Sequence, residues 1–274
     1  MVTIKKIFKY LSLLLWALII LFPITILFFG SFMTRDEFYT KKGIGLPDSF
    51  SYLANYSTAI KEGHLLRGFV VTFTIMLISI FFSVILGSMV AYVILRFTFK
   101  GRTLLLFLYF LISSVPMVIT QVGTFKLMTS LHLYNTMWAP IILYIGADVT
   151  MIYLYLQNME QIPDALDQAA IMDGASFFQI YRYIILPLLT PATMTVITIK
   201  SLSIYNDFYI PYLYMPRQDL PTISTAIFRF VGPFQTQWEI ISACIILSML
   251  PLVVLYLWLQ RYIDQETLQG GMKG

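Results

Sequence analysis

Four stretches of this chain carry no charged side chain at all: residues 10–34, 69–95, 103–125 and 240–260. Crossing a bilayer as a helix takes about 20 apolar residues, and each of the four meets that length. Two further apolar stretches are interrupted, 133–158 by Asp148 and 186–213 by Lys200 and Asp207. A chain in lipid has no water to satisfy its N–H and C=O groups, so such stretches are helical. Six spans in one helical bundle are expected, an all-α membrane protein forming a single domain over 1–274.

The rest of the composition excludes the usual soluble classes. The chain is 58% hydrophobic and 12% charged, against about 45–50% apolar and about 25% charged in soluble domains. In water that surface would leave large apolar patches. The net charge of +4 comes without a long block of Lys and Arg, which argues against a nucleic-acid partner. The one cysteine, Cys244, lies in an apolar run, so an intrachain disulfide is excluded and a packing role is expected. Lys5, Lys6 and Lys9 precede the first apolar run as in a signal peptide. That run is too long for one, and no small-x-small cleavage site follows before Arg35 and Asp36.

Positive charge near span ends faces the cytoplasm. Lys5, Lys6 and Lys9 place the N-terminus inside, and Arg96, Lys100 and Arg102 place the 96–102 turn there too. The 33–68 segment also holds Arg35, Lys41, Lys42, Lys61 and Arg67, but it is long and balanced by Asp36, Glu37, Asp48 and Glu62. Long loops weigh little in this rule. Both termini are then cytoplasmic, as are the 159–185 loop and the 261–274 tail.

The 159–185 loop is unusual. Pro163 suits a first helical turn, and Asp164 and Asp167 suit its positive end. Leu166, Ala169 and Ala170 are expected on one face. Gly174 fits the residue just past a helix end, and Ser176 can cap a second short helix carrying Phe177, Phe178, Ile180 and Tyr181. Pro187 is expected to open the next span. An interfacial helix on lipid would favour Lys and Arg. Here Glu160, Asp164, Asp167 and Asp173 face only Arg182, and an anionic leaflet would repel them. A protein partner fits the charge better.

This stretch resembles the EAA loop of binding-protein-dependent ABC importer permeases, in particular the carbohydrate-uptake subunits of the maltose-permease type. The resemblance rests on Gln168-Ala169-Ala170, then Asp173-Gly174-Ala175, then Ile184-Ile185-Leu186-Pro187. Gln168 stands where the family usually has glutamate, with Asp167 one residue earlier. Weaker likenesses cover most of the chain: Leu46-Pro47 to Asn55-Tyr56, Ala91-Tyr92 to Arg96, Tyr205-Asn206-Asp207-Phe208 with Pro211, and the Gln260-Arg261-Tyr262 tail ending in Gly270-Gly271.

The resemblance implies the type I permease fold, with Asp167, Gln168, Ala169, Ala170, Asp173, Gly174, Ala175, Phe177, Phe178, Leu186 and Pro187 in a loop that couples to a cytoplasmic ABC ATPase dimer. It also implies a second homologous permease, an extracytoplasmic solute-binding protein and a sugar substrate. The chain has no G-x-x-x-x-G-K-[ST], so ATP and Mg are expected on the partner ATPase and no cofactor on this chain.

Ionisable groups at bilayer depth tend to face the bundle interior. Asp148 and Asp207, with Gln121, Tyr205 and Asn206, are the candidate path residues. Pairing with each other or with the sister permease is the other role open to them, and is the expected one for Lys200. Three other classes are less well supported. A secondary transporter would carry internal repeats, a channel a charge ring or carbonyl filter, and an enzyme a reactive motif such as H-E-x-x-H or G-x-S-x-G. A non-sugar solute stays open.

Overall fold

A computed structural model describes residues 2–146, 149–232 and 235–270, with side chains described except at 2–5, 117, 255, 256 and 258–270. Every regular element among these residues is helical. In chain order they are α1 (Val2–Gly30), α2 (Arg35–Thr40), α3 (Ala54–Lys61), α4 (Leu65–Arg96), α5 (Arg102–Ser113), α6 (Met117–Ser130), α7 (Trp138–Ile145) and α8 (Val149–Met159). Then follow α9 (Ala165–Met172), α10 (Phe177–Ile180), a π-helical turn (Tyr181–Ile185), α11 (Leu186–Leu188), α12 (Thr190–Asn206), α13 (Tyr209–Tyr214), α14 (Ile223–Phe228) and α15 (Trp238–Gly270).

Two helices, within α1 and α4, are long and apolar enough to cross a membrane unbroken. Three more stretches are bent pairs: α5 with α6 at 100°, α7 with α8 at 42°, and Phe177–Leu188 with α12 at 73°. The apolar part of α15 described with side chains runs over Trp238–Val254. The 103–125, 133–158 and 186–213 stretches, expected as single helices, are therefore broken. Proline explains two of the breaks. Pro116 precedes α6 and cannot donate within a helix. Pro191 lies at the start of α12, just after the turn residue Leu189. The third break falls at Gly146 (φ −43°, ψ 129°), which leaves the helical region. Pro23 and Pro251 sit inside α1 and α15 without breaking them.

The chain divides into two compact units, residues 1–66 with 225–274, and residues 67–224. In the first, α15 packs on α1 and α3. Gly30 permits the approach, since a Cβ there would sit 2.8 Å from the Phe38 ring and 3.3 Å from Ser242 Oγ. Asn55 Nδ2 donates to the Ser31 and Met33 carbonyls at 3.0 and 2.8 Å, tying α3 to the end of α1. From Lys6 to Phe29 no side chain is buried within the chain. Cys244 is fully buried.

The second unit holds two apolar cores. One gathers Ile75, Ile141, Ile204 and Tyr214. The other joins Tyr92 of α4 and Tyr155 of α8 to Ile162, Ala170, Ile180 and Ile185 of the 159–185 segment. The loop is thus built into the same packed core as the spans, and moves with it.

Candidate functional site

The loop's shape follows from local rules. At the end of α9 the Gly174 N–H donates to Ile171 O at 3.0 Å and the Ala175 N–H to Ala170 O at 2.9 Å. This pair of bonds satisfies the last carbonyls of the helix when the residue after its cap turns left-handed. Gly174 does so at φ +84°, and nothing lies within 4 Å of where a Cβ would stand. Two residues later Ser176 Oγ accepts from the Gln179 N–H at 3.4 Å, and Gln179 Oε1 accepts from the Ser176 N–H at 2.7 Å. That reciprocal cap starts α10. Ser176→Ala should lower the thermal midpoint in detergent, a loss of about 1 kcal/mol; an unchanged midpoint would mean the cap is idle.

Three sequence expectations differ from the structure. The helix begins at Ala165 rather than at Pro163, and Asp164 occupies the cap position without capping. Its carboxylate is drawn away to Arg96 instead. Leu166, Ala169 and Ala170 do not share a face: Ala170 is buried while Leu166 and Ala169 are exposed. The inward face is Asp167 and Ala170. Pro187 does not open the next span, because the chain enters it through the π turn and α11, and α12 starts at Thr190. A proline ring clashes with the carbonyl four residues back, here Tyr183, and widening the helix there relieves the clash.

Arg96 was legible only as a cytoplasmic charge, yet it is the loop's polar anchor. Its Nη2 donates to Ile162 O at 2.8 Å, its Nη1 donates to Asp164, and its Nε lies 2.5 Å from Asp167 Oδ2. That last ion pair lies off the N–H direction and makes no hydrogen bond. Burial lifts the Asp167 carboxyl above the usual carboxylate range, with Arg96 pulling it back down. Phe177 stacks edge-on against Phe97 with centroids 5.0 Å apart. Tyr181 exchanges a 2.8 Å hydrogen bond with Ser88.

The outer face of the loop is apolar and open. Met172 is 86% exposed and Phe178 65%, with Ile171 and Phe177 beside them. A shallow 320 Å³ concavity follows, lined by Asp173, Gly174, Ala175, Gln179 and Tyr183 among others. Gln168 is exposed, and Leu186 and Pro187 lie on α11.

Among the candidate path residues, Asp207 borders a cavity of about 500 Å³ between α7, α8 and α12. Tyr144, Thr150, Lys200 and Ser203 add polar groups to walls of Leu143, Met151, Leu154 and Val196. Asp207 has its own structural work. Its Oδ1 accepts the Tyr209 and Ile210 N–H groups at 2.7 and 3.3 Å, and its Oδ2 accepts the Tyr144 hydroxyl at 2.7 Å. Lys200 Nζ reaches the Gly146 carbonyl at 3.4 Å. Asn206 donates back to Leu202 O at 2.9 Å, Tyr205 is buried against Phe73, and Gln121 accepts from the Tyr209 hydroxyl. These three do not border the cavity. Asp148 lies outside the described residues, as do residues 271–274; the described backbone of the tail before them continues α15.

Residues 83–269 match the family described as "Binding-protein-dependent transport system inner membrane component". The chain is 30% identical over 276 residues to the probable starch degradation products transport system permease protein AmyC of Thermoanaerobacterium thermosulfurigenes, covering 98% of this chain and 97% of that one. It is 28% identical over 277 residues to the trehalose/maltose transport system permease protein MalG of Thermococcus litoralis, covering 98% of both. Its fold is similar to a chain of a bacterial ABC transporter involved in the import of the acidic polysaccharide alginate (TM-score 0.80, 20% identity, 95% of this chain and 96% of that chain). The helical fold is that of an ABC importer permease, and the match spans both the loop and the cavity. The chain belongs to the binding-protein-dependent transport system inner membrane components, and its work is transport rather than catalysis.

Proposed function

We propose that this chain is one permease subunit of an ATP-driven importer for a sugar or oligosaccharide. The 159–185 loop docks on a cytoplasmic ATPase dimer that holds the ATP and Mg. A second homologous permease completes the path, and an extracytoplasmic binding protein delivers the solute. Both termini face the cytoplasm.

One observation carries the docking assignment: an apolar outer face, Ile171, Met172, Phe177 and Phe178, on a loop whose inner face is locked into the spans. Exposed apolar groups outside the bilayer mark a protein contact. A loop free on both faces would yield instead of transmitting force. The cavity bordered by Tyr144, Lys200 and Asp207 supports a path through the second unit. The sugar assignment rests on the starch-product and trehalose/maltose permeases to which the chain is similar.

The test is purification of the tagged chain from native membranes in mild detergent, with mass spectrometry of what accompanies it. The expected companions are a Walker-motif ATPase and a second multi-span permease. A chain purified alone, yet active in gradient-driven uptake, would overturn the proposal in favour of a secondary transporter.

A further inference from the structure

Helix α4 is not adjacent in sequence to the loop, yet one side chain at its end spans the loop's entry. Arg96 reaches the carbonyl of Ile162 before α9, the carboxylate of Asp164 at its cap and that of Asp167 in its first turn. One turn earlier on α4, Tyr92 packs on Tyr181, and one residue later Phe97 packs on Phe177. The arginine therefore holds α9, and the two aromatics hold the segment beyond Gly174. We propose that Arg96 is a positioning residue that passes displacement of the loop into α4, keeping ATP hydrolysis tied to solute movement. This rests on the reading of the loop as an ATPase contact.

The chemistry suits that duty. A guanidinium is a rigid planar fork that engages several acceptors at once. Its three contacts fall along the loop's entry and α9's first turn, so α9 cannot shift without drawing on Arg96. The covalent links out of the loop are softer. Toward α8 the chain passes through a short turn, Glu160–Asp164, and toward α12 it passes the π turn and a 73° break. The two carboxylates are unequal. The Arg96 and Asp167 side chains are 10% and 12% exposed, whereas Asp164 is 73% exposed. Water screens an exposed pair, while a buried charge stripped of its partner has no such relief. Asp167 is thus the partner that matters.

The experiment uses the complete transporter in proteoliposomes, with ATP hydrolysis and solute uptake measured in parallel. In Arg96→Met the ATPases should remain bound and hydrolysis continue, while uptake per ATP falls about tenfold, within the usual range of coupling between sites. Arg96→Lys should lose less, and Asp167→Asn should lose more than Asp164→Asn. The exchanged pair Arg96→Glu with Asp167→Arg should exceed both of its single variants in uptake per ATP. Wild-type uptake per ATP in Arg96→Met overturns the proposal, as does release of the ATPase, which would reduce Arg96 to holding the docking face in shape. If Arg96→Met fails to assemble, Asp167→Asn decides: normal uptake per ATP overturns the proposal and a large loss supports it. Failure of the ATPase reading itself looks different, because the wild-type chain would then carry no ATPase.

Discussion

Gly174→Pro should abolish uptake while leaving the protein inserted and assembled in the membrane. Proline fixes φ near −65°, and residue 174 sits at φ +84°. The substitution also deletes the N–H that donates to Ile171 O. A proline that cannot adopt the local backbone costs about 3 kcal/mol or more, which the short α9 cannot absorb in place. The turn between α9 and α10 would open and the apolar face carrying Met172 and Phe178 would lose its shape. Gly174→Ala is the matched control. No atom lies within 4 Å of its new Cβ, so it pays only the left-handed strain, about 1–2 kcal/mol. Uptake assays on membranes with equal amounts of each variant should rank wild type, alanine and proline in that order. Normal uptake by the proline variant would remove the loop from the mechanism.

Asp207→Ala should be the most destabilising single change at the cavity. It strips the Tyr144 hydroxyl of its acceptor, which costs about 1–3 kcal/mol. The same change removes the acceptor for the first N–H groups of α13, about 1 kcal/mol more. Asp207→Asn keeps the Oδ1 acceptor, and the Tyr144 hydroxyl can turn to accept from the new amide. Its thermal midpoint should stay near wild type. The asparagine variant then isolates the charge: if Asp207 faces the solute, the set of sugars that stimulates ATP hydrolysis changes. The same set of sugars at the same stability would leave Asp207 as a cap and a tyrosine acceptor only.

Local rules read some of this chain well. The left-handed Gly174 and the Ser176 cap depend only on residues within five positions, so sequence alone placed them. The Arg96–Asp167 pair did not show, because 71 positions separate the two and Arg96 looked like any charge at a span end. Charge at a helix start pointed Asp164 and Asp167 at the helix dipole; Arg96, a full charge nearby, outweighed that partial one. The faces of α9 were misjudged for a related reason. An eight-residue helix with alanines on several sides has no strong stripe, and the side turned inward was set by a charge. Length counted the apolar runs but could not see breaks inside them. Gly146 gave a weak signal and Pro116 a stronger one, while the π turn before Pro187 has no sequence signature of its own. Among the path candidates, depth in an apolar run identified Asp207 but did not separate groups bordering a cavity from those bonded back to their own helix, as Asn206 is.

The π turn at Tyr181–Ile185 also fixes an angular phase. Each residue of an α-helix advances the side-chain direction by about 100°. A π turn stores one residue more than an α turn would, so the faces of α12 stand where they do because of that surplus residue. Single-residue deletions within 181–185 would let the segment relax to an ordinary α-helix and rotate everything after it, including the side of α12 that carries Lys200 and Ser203. Substitutions there would leave the phase alone. Length in this five-residue stretch is therefore under tighter constraint than residue identity, the reverse of what holds in most connecting segments.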